Sequence, residues 1–128
     1  MAKFLTNDWL QALNETVNAH EGFRTSIAKI DLTLQFEVPD APEGAEKRYY
    51  LRIQGGELVA GAGDADSPDA TITNSYETAV AVSKGELNTQ MAFMSGKLKV
   101  SGNMAKIMMN QGMFNTFADA ASGVAVEY

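Results

Sequence analysis

Apolar and polar side chains alternate along two stretches in the first half of the chain, at residues 30–38 and 48–53. This alternation predicts two β-strands, each with one buried and one solvent-exposed face. Gln54-Gly55-Gly56-Glu57 follows the second stretch, and both glycines can adopt positive φ in a two-residue hairpin turn. A short third strand is predicted from Leu58 to Ala60, so three consecutive strands pair antiparallel.

Apolar residues recur at helical spacing before these strands, where Asn7 is expected to cap a first helix that ends at Gly22. The polar residues Gln11, Asn14, Glu15 and Asn18 are assigned to its solvent side. After an acidic loop, the pattern predicts a strand at 70–73, a helix from Ser75 to Lys84 and a short helix from Asn88 through Phe93. A strand from Lys97 to Ser101 follows. The remaining elements are a helix capped by Asn103 and broken by Gly112, and a last helix ending near Gly123.

This order of elements indicates an α+β fold. A half-buried antiparallel sheet needs cover on one face, and the helices must supply it. The 128 residues suffice for one domain, predicted to span 1–128.

The segment from Asn88 to Phe117 has an unusual composition, with six of the seven methionines and three of the six phenylalanines. Methionine has a flexible, polarisable side chain and suits a wall that must fit several shapes. The segment is interpreted as the wall of a hydrophobic ligand cavity, and the alternative is an ordinary core that uses methionine.

The formal charge of −6 argues against nucleic acid as a partner, because such binding depends on neutralising phosphates with Lys and Arg. It also predicts at most transient contact with anionic membranes. The N-terminus lacks a signal-like apolar run, no window holds the roughly 20 apolar residues of a membrane span, and the end is not a peroxisomal Ser-Lys-Leu address. The expected location is therefore cytoplasmic.

Residues that carry chemistry are few. There is no cysteine, and the one histidine, His20, is expected to cap a helix or lie on the surface. Asp64, Asp66 and Asp69 lack the spacing of a calcium loop and are interpreted as a solvated acidic loop. No nucleophile motif or histidine pair is present. We expect no catalytic residue, no metal, no cofactor and no enzymatic activity.

Three runs, Asp69–Thr73, Gly85–Phe93 and Gly96–Met104, resemble the sterol carrier protein type two family, also called nonspecific lipid transfer proteins. The family patterns are Asp-x-Thr-Ile, then Gly-(Lys/Glu)-(Leu/Met)-Asn-x-Gln-x-Ala-Phe, then Gly-Lys-Leu-Lys-(Val/Ile)-x-Gly-(Asn/Asp). The match is specific over residues 69–109, and the order of the preceding strands agrees with it.

The resemblance implies a five-stranded sheet with three antiparallel strands, a crossover to the fourth and a helical connection to the fifth. About five helices would cover one face and enclose an apolar tunnel for fatty acids, fatty acyl-CoA or sterol-like lipids, bound with low selectivity. Gln90 matches a glutamine that lies beside the ligand in relatives, although a position on the helix surface is the alternative. The expected ligand-binding residues are Ile72, Gln90, Phe93, Leu98, Val100, Met104, Ile107, Met108, Met113, Phe114 and Phe117.

Two further expectations concern partners. The alternative function is that of an accessory protein that presents a lipid-tailed intermediate, such as a quinone or steroid precursor, to lipid-metabolising enzymes. The protein is expected to be a monomer or a weak dimer.

Lys97 and Lys99 are assigned to the wet face of the fifth strand, and the alternative is that one of them contacts a lipid carboxylate or phosphate.

Overall fold

A computed structural model describes all 128 residues of the chain. The helices are α1 (Asn7–Ala19), α2 (Glu21–Ser26), α3 (Tyr76–Ser83), α4 (Thr89–Met94), α5 (Met104–Met109) and α6 (Gln111–Ala121). The strands are β1 (Ala2–Lys3), β2 (Leu32–Glu37), β3 (Arg48–Gln54), β4 (Glu57–Ala62), β5 (Ala70–Thr73), β6 (Lys99–Gly102) and β7 (Val126–Glu127). None of the helices combines the length and apolar character needed to cross a bilayer.

The main sheet has five strands in the order β4-β3-β2-β5-β6. Strands β2, β3 and β4 pair antiparallel, the chain then crosses over to place β5 parallel to β2, and β6 runs antiparallel to β5. The predicted topology is therefore confirmed. Strands β1 and β7 form a separate parallel pair that the sequence analysis missed, because two-residue strands are too short to show alternation.

The first helical segment differs from its prediction at both ends. Thr6 caps α1, since its hydroxyl accepts a hydrogen bond from the Trp9 N–H at 3.4 Å, and Asn7 is already helical. At the other end α1 stops at Ala19, and His20 Nδ1 accepts from the Phe23 N–H at 3.0 Å to begin α2. Gly22 lies inside α2, which brings the number of helices to six.

Asn88 and Asn103 cap α4 and α5 with their side chains as predicted, and Gly85 and Gly96 adopt positive φ after α3 and α4. Two assignments were wrong. Gly112 lies within α6, and Asn110 separates α5 from α6. Strand β6 starts at Lys99, because the Lys97 and Leu98 N–H groups both donate to the Ala92 carbonyl and are not free to pair in the sheet.

Strand β2 is buried on both faces, which corrects the prediction of one wet face. Its apolar side chains face the core, but Thr33 and Gln35 are also buried, with Gln35 only 3% exposed. The Gln35 amide Nε2 donates to the Tyr49 and Gly63 carbonyls at 3.1 and 3.0 Å, and its Oε1 accepts from the Ala65 N–H at 2.8 Å. The connection between β4 and β5 therefore folds over the second face of the sheet.

Two asparagines of α1 protect the open edge of the sheet at β4. Asn14 accepts from the Ala60 N–H and donates to the Ala60 carbonyl, and Asn18 makes the same pair of bonds with Leu58. The assignment of Asn14 and Asn18 to the solvent side was wrong. Side-chain amides four residues apart on a helix can hydrogen-bond to the free backbone groups of an edge strand, as a neighbouring strand would. The paired edge is closed to another chain.

We expect Asn18→Ala to lower the free energy of unfolding by about 1–3 kcal/mol, because it leaves two half-buried backbone groups of Leu58 without partners. Urea denaturation measures the change. The matched control is Asn115→Ala, since Asn115 is exposed on α6, and its effect should stay within about 0.5 kcal/mol. Equal stability of the two variants would contradict the proposed role of Asn18.

Candidate functional site

Exposed large apolar side chains are concentrated on two short helices. Eight such residues are exposed in the whole chain, and five of them lie on α4 and α5. Met94 and Met109 are 78% and 83% exposed. The five residues are Met91, Phe93, Met94, Met108 and Met109. A concentration of this kind makes α4 and α5 the candidates for a surface that binds something apolar, whereas single exposed apolar residues carry no such indication.

The same two helices are weakly anchored. Helix α4 fully buries only Ala92, and α5 fully buries none of its six residues. A helix this short is far below the roughly 12–15 residues at which isolated helices become marginally stable. Both helices therefore depend on their asparagine caps, with Asn88 Oδ1 2.7 Å from the Met91 N and Asn103 Oδ1 3.0 Å from the Lys106 N.

The residues expected to bind a ligand form a gradient from core to surface. Ile72, Leu98 and Met113 are buried in the core. Val100, Met104, Ile107, Phe114 and Phe117 are half-buried. Gln90, Phe93 and Met108 are exposed.

Two members of this set are direct neighbours on the sheet, and a third packs against the core from α6. Ile72 and Val100 are paired across β5 and β6. The Phe117 ring packs edge-on against Phe23 of α2, with 5.9 Å between centroids. Phe117 thereby attaches α6 to the core.

The polar residues of the region are on the surface. Gln90 is exposed on α4 and its side chain makes no hydrogen bond, which corresponds to the helix-surface alternative. Lys97 lies in the turn before β6 and Lys99 on β6 itself, and both are exposed without an ion-pair partner. The prediction that Lys97 is on the strand is therefore wrong, whereas Lys99 is on it as predicted.

Two solvent-open depressions occur elsewhere on the molecule. One, of about 530 Å³, is lined by residues 42–48 and Gly63, and the other, of about 640 Å³, by residues of α1, α2 and the β3–β4 turn. Neither contains a residue of the expected ligand-binding set. The enclosed tunnel stays a prediction, and the apolar layer of α4 to α6 is the candidate site.

Asp69 connects this layer to the sheet. Its Oδ2 accepts from the Thr33 N–H at 2.8 Å, its Oδ1 lies 3.1 Å from Lys106 Nζ on α5, and its carbonyl accepts from the Asn103 N–H at 2.8 Å. The prediction of a solvated acidic loop is therefore wrong for Asp69. The Asp-x-Thr-Ile pattern contained this residue, but nothing in the pattern indicated its three contacts.

The last residue of β6, Gly102, makes this approach possible. Gly102 has φ of +107°, and a Cβ there would lie 2.6 Å from the Asp69 carbonyl oxygen and 2.8 Å from the Ala70 Cα. Only glycine fits such a position without a shift of the backbone. The end of β6 is thereby held against β5, and α5 starts at a defined place.

Electrostatics favour the ionised form of Asp69. Partial burial alone would raise its pKa, but the hydrogen bond from the Thr33 N–H and the ion pair with Lys106 outweigh burial, and the pKa is lowered.

His20 Nδ1 is occupied by the cap of α2, and no three His, Cys, Asp or Glu side chains lie together as a metal site.

Comparison with known proteins gives a family match over most of the chain. The model of the SCP-2 sterol transfer family matches residues 7–115. Sterol carrier protein 2 of Gallus gallus is 32% identical over 87 residues, which cover 68% of this chain and 16% of the chicken protein. The matched part is thus a small fraction of the relative's length.

Two further similarities concern an enzyme and a fold. Peroxisomal multifunctional enzyme A of Dictyostelium discoideum is 50% identical over 54 residues, which cover 42% of this chain and 12% of the enzyme. The solution structure of a conserved hypothetical protein from Thermus thermophilus superposes with a TM-score of 0.80 at 22% identity, covering 99% of this chain and 93% of that one. The second likeness shows the same fold.

The contacts of Asp69 predict a pH-dependent contribution to stability. Its pKa is lowered by folding, so its contribution is present at neutral pH and is lost as pH falls below the unfolded value of about 4. Asp69→Ala should lower the free energy of unfolding at pH 7 by about 1–3 kcal/mol, because the Thr33 N–H loses its acceptor.

Asp69→Asn is the matched variant, because it keeps an acceptor for Thr33 but removes the ion pair with Lys106. We expect it to cost less than about 1 kcal/mol at pH 7 and the deficit to shrink progressively as pH falls below the unfolded pKa of about 4. Urea unfolding of the three proteins from pH 7 to about pH 3 tests this. A deficit that does not change with pH would show that the charge of Asp69 is not involved.

Proposed function

Because the chain belongs to the SCP-2 sterol transfer family, we propose that it binds and carries hydrophobic ligands without transforming them. The proposed ligands are fatty acids, fatty acyl-CoA and sterol-like lipids, bound with low selectivity. The proposed binding region is the apolar layer of α4, α5 and α6 with the adjoining part of β5 and β6. Gln90, Phe93 and Met108 would lie at its entrance, and Ile72, Leu98 and Met113 at its inner end.

The observation that carries this proposal is the lack of cover on α5. Four of its six residues are large and apolar, namely Met104, Ile107, Met108 and Met109, yet none is fully buried. The helix therefore leaves apolar area in water that an ordinary core would remove from it. A lipid chain placed between α5 and α6 would cover these side chains and complete the packing of the layer.

The energetics are sufficient for a carrier. Burying a sixteen-carbon chain gains roughly 0.8 kcal/mol per methylene group, or about 12 kcal/mol in total. The loss of translational and rotational freedom on association, together with the ordering of side chains, takes back at least several kcal/mol. Micromolar or tighter affinity follows, and because apolar burial has no directional requirement, selectivity between chains should be broad.

We expect Met108→Asp to weaken the binding of a fluorescent fatty acid at least about tenfold, because ligand binding would then desolvate a carboxylate. Met108 is 63% exposed, so the substitution should leave the fold intact. The matched control is Val59→Asp, because Val59 is 47% exposed on β4, at the opposite edge of the sheet. Fluorescence titration and circular dichroism of both variants measure affinity and folding.

Two results would contradict the proposal. One is an affinity of Met108→Asp equal to that of Val59→Asp, which would move the ligand away from α5. The other is a complete absence of uptake of any long-chain compound by the unaltered protein. Solvent extraction of the purified protein followed by mass spectrometry identifies the bound compound directly, and a co-purifying fatty acid would support the proposal.

A second candidate function is that of an accessory protein that presents a lipid-tailed intermediate to enzymes. It is favoured by the Dictyostelium relative, whose name is that of a multifunctional enzyme and whose chain includes a region like this one. Affinity purification from the native source separates the two candidates. Recovery of a lipid-metabolising enzyme at stoichiometric amounts favours the second, and recovery of lipid alone favours the first.

A further inference from the structure

The two edges of the main sheet differ in their hydrogen bonding. At one edge, two side-chain amides of α1 hydrogen-bond to the backbone N–H and C=O groups of Leu58 and Ala60 on β4. At the other edge, the four residues of β6 form no backbone hydrogen bond outside the ladder with β5. Of the two edges, only the one at β6 is therefore open to a further strand.

The register of β5 and β6 shows which backbone groups of β6 point outward. At the end of the pair, the Asn103 N–H donates to the Asp69 carbonyl at 2.8 Å, so Asn103 is a hydrogen-bonded position. Hydrogen-bonded positions recur at every second residue of an antiparallel strand. The backbone groups of Ser101 and Lys99 therefore point toward β5, whereas the N–H and C=O of Val100 point toward the free edge.

The charged side chains around this edge are all basic. Residues 87–118 contain three lysines and no aspartate or glutamate, although the whole chain has 16 acidic and 10 basic residues. Lys106 is paired with Asp69 at 3.1 Å, whereas Lys97 and Lys99 are exposed and form no ion pair. Lys99 is on β6 and Lys97 lies two residues before it, so both free positive charges are close to the open edge.

We propose that β6 binds an extended acidic segment of a partner protein, which adds to the sheet as a sixth, antiparallel strand. The backbone N–H and C=O of Val100 supply the pairing, and alternate side chains of the added strand determine which sequences bind. Val100 lies opposite the buried Ile72, and Lys99 points to the other face of the sheet. The residues of the added strand next to Lys99 are therefore acidic, and the residue next to Val100 is apolar and β-branched. The inference goes beyond the carrier function and does not require that a lipid is bound.

Other occupants fit this edge less well. A second copy of the chain would bring four free lysines, two from each copy, and no acidic residue into one short ladder, and like charges on adjacent strands repel. A nucleic acid needs many phosphate contacts, and only two free lysines are present. A lysine on an edge strand protects against pairing with copies of the same chain. The same lysine attracts an acidic strand, so this protection does not exclude the proposed partner.

Amide hydrogen exchange measured by NMR tests the open edge in the protein alone. The Val100 amide should exchange at least about tenfold faster than the Ser101 amide, because it donates no hydrogen bond within the protein. The amides of Leu58 and Ala60 are the internal control, since both donate to asparagine side chains and should be protected at the opposite edge. Equal protection of Val100 and Ser101 would show that the edge is closed and would overturn the proposal.

The probe for binding is a capped seven-residue peptide in which glutamate and valine alternate, titrated into the labelled protein up to about 1 mM. Amide shifts should be largest on β6, and in the complex the exchange of the Val100 amide should slow about tenfold, because it then donates to the peptide. The matched probe is the same peptide with N-methylated valines. It keeps the charges but lacks the donors that face β6, and it should not bind.

Reversing the charge of the edge should reverse its preference. Lys97→Glu with Lys99→Glu should weaken binding of the glutamate peptide about tenfold and allow the corresponding peptide of lysine and valine to bind. The control, Lys29→Glu with Lys47→Glu, reverses the same charge at exposed positions outside β6. At physiological salt it should change the affinity for either peptide by less than about twofold, because charges beyond about 8 Å are screened. Thermal unfolding confirms that each variant is folded.

Four results of the peptide experiments would overturn the proposal. They are no amide shift on β6 at the highest concentration of the glutamate peptide, equal binding of the N-methylated peptide, equal losses in the two lysine variants, and protection of the edge that rises with protein concentration without peptide. The last result would assign the edge to a second copy of the chain. Failure of peptide binding with intact fatty acid uptake would reject only the added strand, and failure of uptake with intact peptide binding would reject only the carrier function.

Discussion

The contacts of Asp69 attach helix α5, which fully buries none of its residues, to the central strand β2 of the sheet. Its carboxylate bridges the Thr33 N–H of the central strand and the Lys106 ammonium on α5, while its carbonyl receives the Asn103 N–H at the start of that helix. Gly102 permits the close approach that this requires. Helix α5, which has almost no buried anchor of its own, is thus held at one end by polar contacts.

The rest of the structure divides into two halves of different character. The sheet with α1, α2 and α6 contains the large fully buried side chains, among them Leu13, Phe23, Leu34 and Ile53. Helices α4 and α5 contribute Ala92 alone to the buried set. A region with few buried apolar contacts opens at low free-energy cost. The fold therefore combines a stable platform with a wall that can adapt to what lies against it.

The sequence predicted the topology and the asparagine caps of α4 and α5, because alternation and asparagine caps are local features. The prediction from sequence was wrong where a side chain forms hydrogen bonds with residues far away in the sequence. Gln35 is polar in an alternating strand, and only the loop that folds over it explains its burial. Asn14 and Asn18 look like solvent-side residues of α1 until the edge of β4 is placed beside them. Composition drew attention to the methionine segment but did not show which of its residues are buried: Met113 is in the core, whereas Met109 is 83% exposed.

A carrier has to release what it binds, and in the proposed function this requirement would account for the weak anchoring of α5. In a preformed cavity with a rigid, well-packed wall, most of the roughly 12 kcal/mol available from burying a sixteen-carbon chain would contribute to affinity, and release would be slow. In the proposed carrier, part of that free energy would be consumed in ordering α4, α5 and their flexible methionines around the ligand. The exposed apolar area would then be the structural consequence of reversible binding. The polar contacts at Asp69 would keep the loosened helix in register, so that the same wall could close again after each ligand leaves.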